Sequence, residues 1–338
     1  MTSIREVAQM AGVSPATVSR VINGTAKVDE EKRQRVEKVI RETGFRPNEV
    51  ARSLFKKSSR IIGMVIPNIE NPFINEIAKA VEAEAYKKGY RVTLCNSEED
   101  SRKELESIQM LERMNADGII LMTNSDEQGK NLGGFQIPIV TIDRKGSEDH
   151  AIACLQADHY TGGKIAAEYL VKCGCKKIVN MRGLQKYSSA RERFAGYMDI
   201  CKKYNLKPEY VECEYNFEDG FRKSVELLKK YPDVDGVVAA NDMVAISLYK
   251  VLTKKGYRVP QDVQIIGFDN INLSWLFTPE LTTVAQPIKE MGKTAARIII
   301  QNVEGKKVKK EHIFQVKLVE RDTTVLKMCI RDRLFGMF

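Results

Sequence analysis

Apolar positions along the chain follow two rhythms. Over residues 1–60 they recur at helical spacing: Ile4, Val7, Ala8 and Ala11 make one stripe, Val18, Val21 and Ile22 a second, and Val36, Val39 and Ile40 a third. Each stripe predicts an amphipathic helix. The first ends at Gly12, a residue suited to the left-handed conformation that closes a helix. The second opens on Ser14 and Pro15, an N-cap type followed by a residue tolerated in the first helical turn. The third spans Asp29 to Thr43, with Gly44 beyond it. Two short helices joined by a brief turn containing Gly make a helix-turn-helix pattern, and small Ala8 lets them cross closely.

From Arg60 the rhythm changes. Short apolar runs, "IIGMVIP", "RVTLCN", "DGIILM" and "IPIVTID", alternate with helical segments at Asn71 to Lys88 and Ser101 to Met114. A second series follows Asp158: "KIVNM", "VECEY", "DGVVAAND" and "VQIIGFDN". The alternation predicts βαβ units with parallel sheets, and two series of similar size predict two lobes with a cleft between them. Ligands of such sheets sit beyond the carboxyl ends of the strands.

Composition narrows the class. A chain of 338 residues, 43% hydrophobic and 29% charged, is that of a globular protein of two or three domains. It has no apolar run of about 18 residues, so no membrane span is expected. Its start, "MTSIREVAQMAG", lacks the organisation of a secretory signal, so a cytoplasmic, nucleoid-associated protein is expected. Seven scattered cysteines, with Cys173 and Cys175 too close for zinc spacing, read as reduced thiols, and no metal or cofactor is expected. The net charge of +9 is uneven: residues 1–60 carry 13 Lys/Arg against 7 Asp/Glu, the rest 41 against 38. A basic head on a nearly neutral body suggests a polyanionic partner.

The second helix keeps Ala16, Thr17, Ser19, Arg20 and Asn23 off its apolar face. Small residues permit close approach to a duplex, hydroxyls bond phosphates, and Arg reads guanine edges. A plain three-helix bundle has the same spacing. In the body, polar groups stand at five strand ends: Asn71 and Phe73 after the first, Asp143 and Arg144 after the fourth, then Arg191 and Arg193, Asn241 and Asp242, and Asp269. Carboxylates, amides and guanidinium groups beside an aromatic ring suit a polyhydroxylated ligand, although Asn and Asp also serve as ordinary caps.

"IREVAQMAGVSPATVSRVIN" followed by "GFRPNEVARSL" resembles the head and hinge of the lactose-repressor (LacI/GalR) family of bacterial regulators. "NPF", "TIDR", "SARERFAGY", "AAND", "VPQDVQIIGFDN" and "LTTVAQP" extend the resemblance to the core shared with periplasmic sugar-binding proteins. The resemblance implies a helix-turn-helix domain over 1–46, a hinge helix and linker over 47–60, and a two-lobed ligand-binding and dimerisation core over 61–327. Lobe 1 would comprise 61–158 and 288–317, lobe 2 159–287 and 318–327, with crossings near Asp158, Pro287 and Lys317. The stretch 328–338 continues past the family's usual end and reads as a disordered tail or an assembly scar.

The same resemblance implies that Pro15, Ala16 and Arg20 lie over base edges and Thr17, Ser19 and Asn23 on phosphates, with Leu54 wedged into a central minor-groove step. The set Asn71, Phe73, Asp143, Arg144, Arg193, Asn241, Asp269 and Gln286 is most similar to ribose-binding members, and Tyr215 matches an aromatic wall. His159 stands where the family usually shows Asn, altering one hinge contact. The implied protein is a homodimeric repressor of pseudo-palindromic operator DNA, released by a small sugar such as ribose or another pentose. Another sugar, a purine or a phosphoprotein co-regulator is the alternative effector. An enzyme is the rival class: Asp143 and Asp269 could form a glycosidase pair, but phosphate-loop, dinucleotide and H-E-x-x-H patterns are missing. His150, His159 and His312 are dispersed and read as loop and surface residues.

Overall fold

Capping side chains decide where the N-terminal helices begin. The computed structural model describes residues 2–24, 28–45, 58–122, 130–143 and 150–326, in two units that divide after Ser59. Helix α1, Ile4–Ala11, starts with a capping box: Glu6 N donates to Ser3 Oγ, and Ser3 N donates to the Glu6 carboxylate at 2.6 Å. Gly12, at φ 62°, turns the chain left-handed, and Ser14 then caps α2, Pro15–Asn23, by accepting from Thr17 N. Helix α3, Glu30–Thr43, begins one residue later than expected, because Asp29 serves better outside it, accepting from Lys32 N. Val7, Ala8, Ala11, Val18, Val36 and Val39 fill the space between the three helices. Ile4, expected on the buried stripe, is 36% exposed and is not part of that core. Of the expected hinge helix and linker over 47–60, residues 47–57 fall outside the described residues.

In the second unit, buried apolar runs become parallel strands. The first series is β1 (Ile61–Ile66), α4 (Pro72–Lys87), β2 (Arg91–Asn96), α5 (Ser101–Arg113), β3 (Gly118–Leu121), β4 (Ile139–Ile142) and β5 (Ala153–Ala157). The second is α6 (His159–Lys172), β6 (Ile178–Gly183), α7 (Ser188–Lys203), β7 (Glu209–Cys213), α8 (Phe217–Lys230), β8 (Gly236–Val238), α9 (Asp242–Lys254), β9 (Gln264–Asp269), α10 (Leu273–Leu276) and β10 (Thr283–Ala285). The chain ends its described course with α11 (Ile288–Val303), β11 (Glu311–Phe314) and β12 (Lys317–Val319).

Two six-stranded sheets result, ordered β11-β5-β4-β3-β1-β2 and β12-β10-β9-β8-β6-β7. All pairings are parallel except that of β12 with β10. Each sheet is covered on both faces, as parallel sheets require. Helices α4 and α11 cover one face of the first sheet and α5 the other. Helices α8 and α9 cover one face of the second sheet, α6 and α7 the opposite one. The chain passes from the first sheet to the second after β5, returns after β10, and crosses again between Phe314 and Lys317. The first and last crossings are joined, since Asp158 N donates to Phe314 O at 2.9 Å.

Helices α6 and α7 touch backbone to backbone. A Cβ on Gly163 would stand 2.0 Å from the Arg193 carbonyl oxygen, and one on Gly196 2.2 Å from that of Tyr160. Only glycine fits at either position. Among the described residues, no helix is long and apolar enough to cross a membrane.

Candidate functional site

The strand ends of the two sheets face a cavity of about 250 Å³. Asn71, Phe73 and Asp143 line it from the first sheet, and Arg193, Tyr215, Asn241 and Asp269 from the second. Gln286 stands behind this lining and donates from Nε2 to Asp269 Oδ1 at 2.7 Å. Its own Oε1 is buried with no hydrogen-bond partner among the described residues. Arg144 lies outside the described residues. Tyr187, Met122 and Met243 also line the cavity, and no pattern in the sequence marked them.

Local structure explains how several of these side chains are held. Asn71 caps α4 by accepting from Phe73 N at 3.0 Å. Asn241 caps α9 through Val244 N and donates from Nδ2 to Tyr215 O at 3.2 Å. The Tyr215 ring stands 5.9 Å from that of Tyr187, so two aromatic groups form one wall. Asp242, next to Asn241, turns away from the cavity: Thr283 Oγ1 and Ile271 N donate to its carboxyl, which burial pushes well above the usual carboxylate range. Arg191 also leaves the site and donates to Gln185 O.

Arg193 is the centre of the arrangement. Its guanidinium lies 3.6 Å from the Phe268 ring centroid, donates from Nη1 to Ala240 O at 2.8 Å, and has Nη2 3.8 Å from Asp269 Oδ1. Its Nε donates to Nδ1 of His159 at 3.2 Å, while Nε2 of that ring meets Asp143 Oδ1. This corrects the expectation that the histidines lie at loops and surfaces. His159 is 1% exposed, at the start of α6, whereas His150 is exposed and His312 sits on edge strand β11. Both carboxylate positions carry positive φ, 63° at Asp143 and 114° at Asp269. Asp tolerates the first value comparatively well, but the second is strained for any residue with a Cβ.

Burial pushes the Asp269 carboxyl up to about 7, against the pull of Arg193 and of the Gln286 hydrogen bond. The folded chain therefore keeps a proton that the unfolded chain releases near 3.8, and this group's contribution to stability falls as pH rises between those values. Relative to Asp269→Asn, the wild-type Tm should decline from about pH 4 to about pH 7 and level off above it. A difference that stays constant across that range would show that Asp269 is ionised throughout.

In the N-terminal unit, Pro15, Ala16 and Arg20 are exposed on α2, and Thr17, Ser19 and Asn23 are half-buried. Thr17 shares a hydrogen bond with Ser14 Oγ, and Asn23 Nδ2 donates to Ser19 O at 2.7 Å and to Ser19 Oγ at 3.2 Å. The face is small and polar, with one projecting cation. Leu54 lies outside the described residues.

Both units of the chain are similar to known proteins. Residues 3–48 match the model of bacterial regulatory proteins of the lacI family, and residues 59–322 match that of periplasmic binding proteins and sugar binding domain of LacI family. The chain is 37% identical over 325 residues to the ribose operon repressor of Halalkalibacterium halodurans, covering 96% of this chain and 97% of that protein. A lac repressor dimer bound to operator and an anti-inducer superposes with a TM-score of 0.87 at 26% identity, over 96% of this chain and 99% of that one. A LacI family transcriptional regulator from Enterococcus faecium with bound ribose superposes at 0.71 with 29% identity, over 79% of this chain and 99% of that one.

Proposed function

Because the chain belongs to the LacI family of bacterial regulators, we propose that it is a cytoplasmic, nucleoid-associated repressor that binds operator DNA as a homodimer and releases it on binding ribose. The cavity carries the sugar reading. It brings Asp143, Asp269, Arg193, Asn71 and Asn241 together with Phe73 and the Tyr187–Tyr215 wall. Sugar hydroxyls both donate and accept, so such a set can match several at once, and charged partners make the stronger bonds. The ring's C–H face meets the aromatic side chains. The similarity to ribose operon repressors and to a ribose-bound regulator supports ribose among the small sugars.

Ribose can shift operator affinity only if it binds the DNA-releasing state more tightly than the DNA-holding state. Calorimetry with D-ribose and operator release under ribose titration test the reading together. Absence of binding by the intact protein sinks the ligand assignment. Release by a purine instead of ribose would reassign the effector and leave the DNA-binding role standing.

On the DNA side, exposed Arg20 is the guanine-reading group, with Pro15 and Ala16 beside the bases and Thr17, Ser19 and Asn23 toward phosphates. Arg20→Ala should cost about 1–3 kcal/mol on operator DNA and far less on random duplex. Fluorescence anisotropy at fixed salt separates the two. Equal losses on both duplexes would reduce Arg20 to a phosphate contact.

A further inference from the structure

His159 has every hydrogen-bonding atom of its ring committed. A guanidinium only donates, so Nδ1, facing Arg193 Nε at 3.2 Å, is an acceptor. A neutral imidazole has one acceptor and one donor, which places its proton on Nε2, facing the Asp143 carboxylate. A second proton, on Nδ1, would point at the Arg193 N–H and set two donors against each other. The surroundings favour the neutral ring as well. Burial is the largest influence and lowers the His159 pKa, and Arg193 lowers it further, while Asp143 and Glu192 pull the other way. The remaining close ring is Phe268, 6.0 Å away between centroids.

The bridge joins parts of the chain that belong to different sheets. Asp143 follows β4 of the first sheet, His159 is the first residue of α6 just past the Asp158 crossing, and Arg193 rides on α7 over the second sheet. Asp143 and Arg193 both line the cavity, and His159 does not. We propose that His159 is a positioning residue of the sugar site, a neutral bridge that sets the Asp143 acceptor and the Arg193 donor in register across the two sheets. The inference rests on the sugar reading of the cavity for its consequence, but the bridge itself is a property of the ligand-free protein.

The imidazole holds Arg193 at Nε, Ala240 holds it at Nη1, and Phe268 supports its face, leaving the rest of the Nη fork for the cavity. Without the ring, the Nε end and Asp143 lose their common partner. An Asn side chain keeps an acceptor near the Nδ1 position but reaches less far toward Asp143 than Nε2 does, whereas Ala offers neither contact.

The test uses the full chain, D-ribose and operator DNA. His159→Ala should weaken ribose binding by about tenfold or more while sugar-free operator affinity changes by less than about twofold. His159→Asn, which keeps the acceptor toward Arg193, should bind ribose at least about threefold more tightly than His159→Ala. In the unmutated protein, 15N spectra of the imidazoles should show one ring with unprotonated Nδ1 and protonated Nε2 that takes up its second proton at lower pH than an ordinary histidine, and this ring should vanish in His159→Asn. Ribose binding by His159→Ala equal to wild type, no gain of His159→Asn over His159→Ala, or an Nδ1–H tautomer would each overturn the proposal. If the wild type binds no ribose, the ligand reading fails, and the spectrum alone then decides whether the bridge exists.

Discussion

Arg193→Ala is expected to yield a repressor that holds its operator and no longer answers to ribose. The guanidinium is a charged donor within the cavity, and its removal also leaves Asp269 and the Nδ1 of His159 without their cation. Losing charge-assisted bonds in a buried site costs about 3 kcal/mol, which is about a hundredfold or more in ribose affinity. Asp269 then loses the influence that opposes its burial, so it holds its proton to higher pH and accepts hydroxyl bonds less strongly. Asp269→Ala should give the same phenotype from the acceptor side. Calorimetry and ribose-driven operator release measure both, and release by either variant at the wild-type ribose concentration would remove that residue from the site.

Gly196→Ala should damage the core itself. The added methyl would meet Tyr160 O at 2.2 Å and Lys164 N at 2.8 Å, and both are backbone atoms that cannot rotate aside. Helices α6 and α7 must separate, at a cost of about 3 kcal/mol or insoluble expression. Helix α7 carries Arg193 and α6 carries His159, so any protein that does fold should also bind ribose weakly. Denaturant midpoints measure the first effect, and an unchanged midpoint would mean that the two helices are farther apart than described.

The helices of the head were legible because their punctuation is local: Ser14, Pro15 and Gly12 act within a turn or two of where they stand. The strong strands were legible because parallel sheets covered on both faces need continuous apolar runs such as "IIGMVIP". Strands β5, β10, β11 and β12 were not anticipated. Strands β10 and β12 have three residues each, β11 and β12 are sheet edges with half-exposed and charged positions, and Gln156 interrupts β5. For the cavity, polar residues at strand ends are visible in one dimension, and Asn71, Phe73, Asp143, Arg193, Tyr215, Asn241 and Asp269 do converge. His159 could be singled out in the sequence only as a departure at a hinge contact. Its role depends on Asp143 and Arg193, which are distant along the chain and meet only after both sheets have formed.

The backbone at Asp269, held at φ 114°, has a bearing on how this protein can evolve. Glycine would relax that torsion and recover part of the order of 1–3 kcal/mol that such a conformation costs. It would also delete a carboxylate from the wall of the cavity. Selection for heat resistance alone would thus favour losing a group that the proposed sugar site uses. If Asp269 serves the proposed sugar site, stabilising substitutions that leave the response to ribose intact are to be sought away from the strand ends.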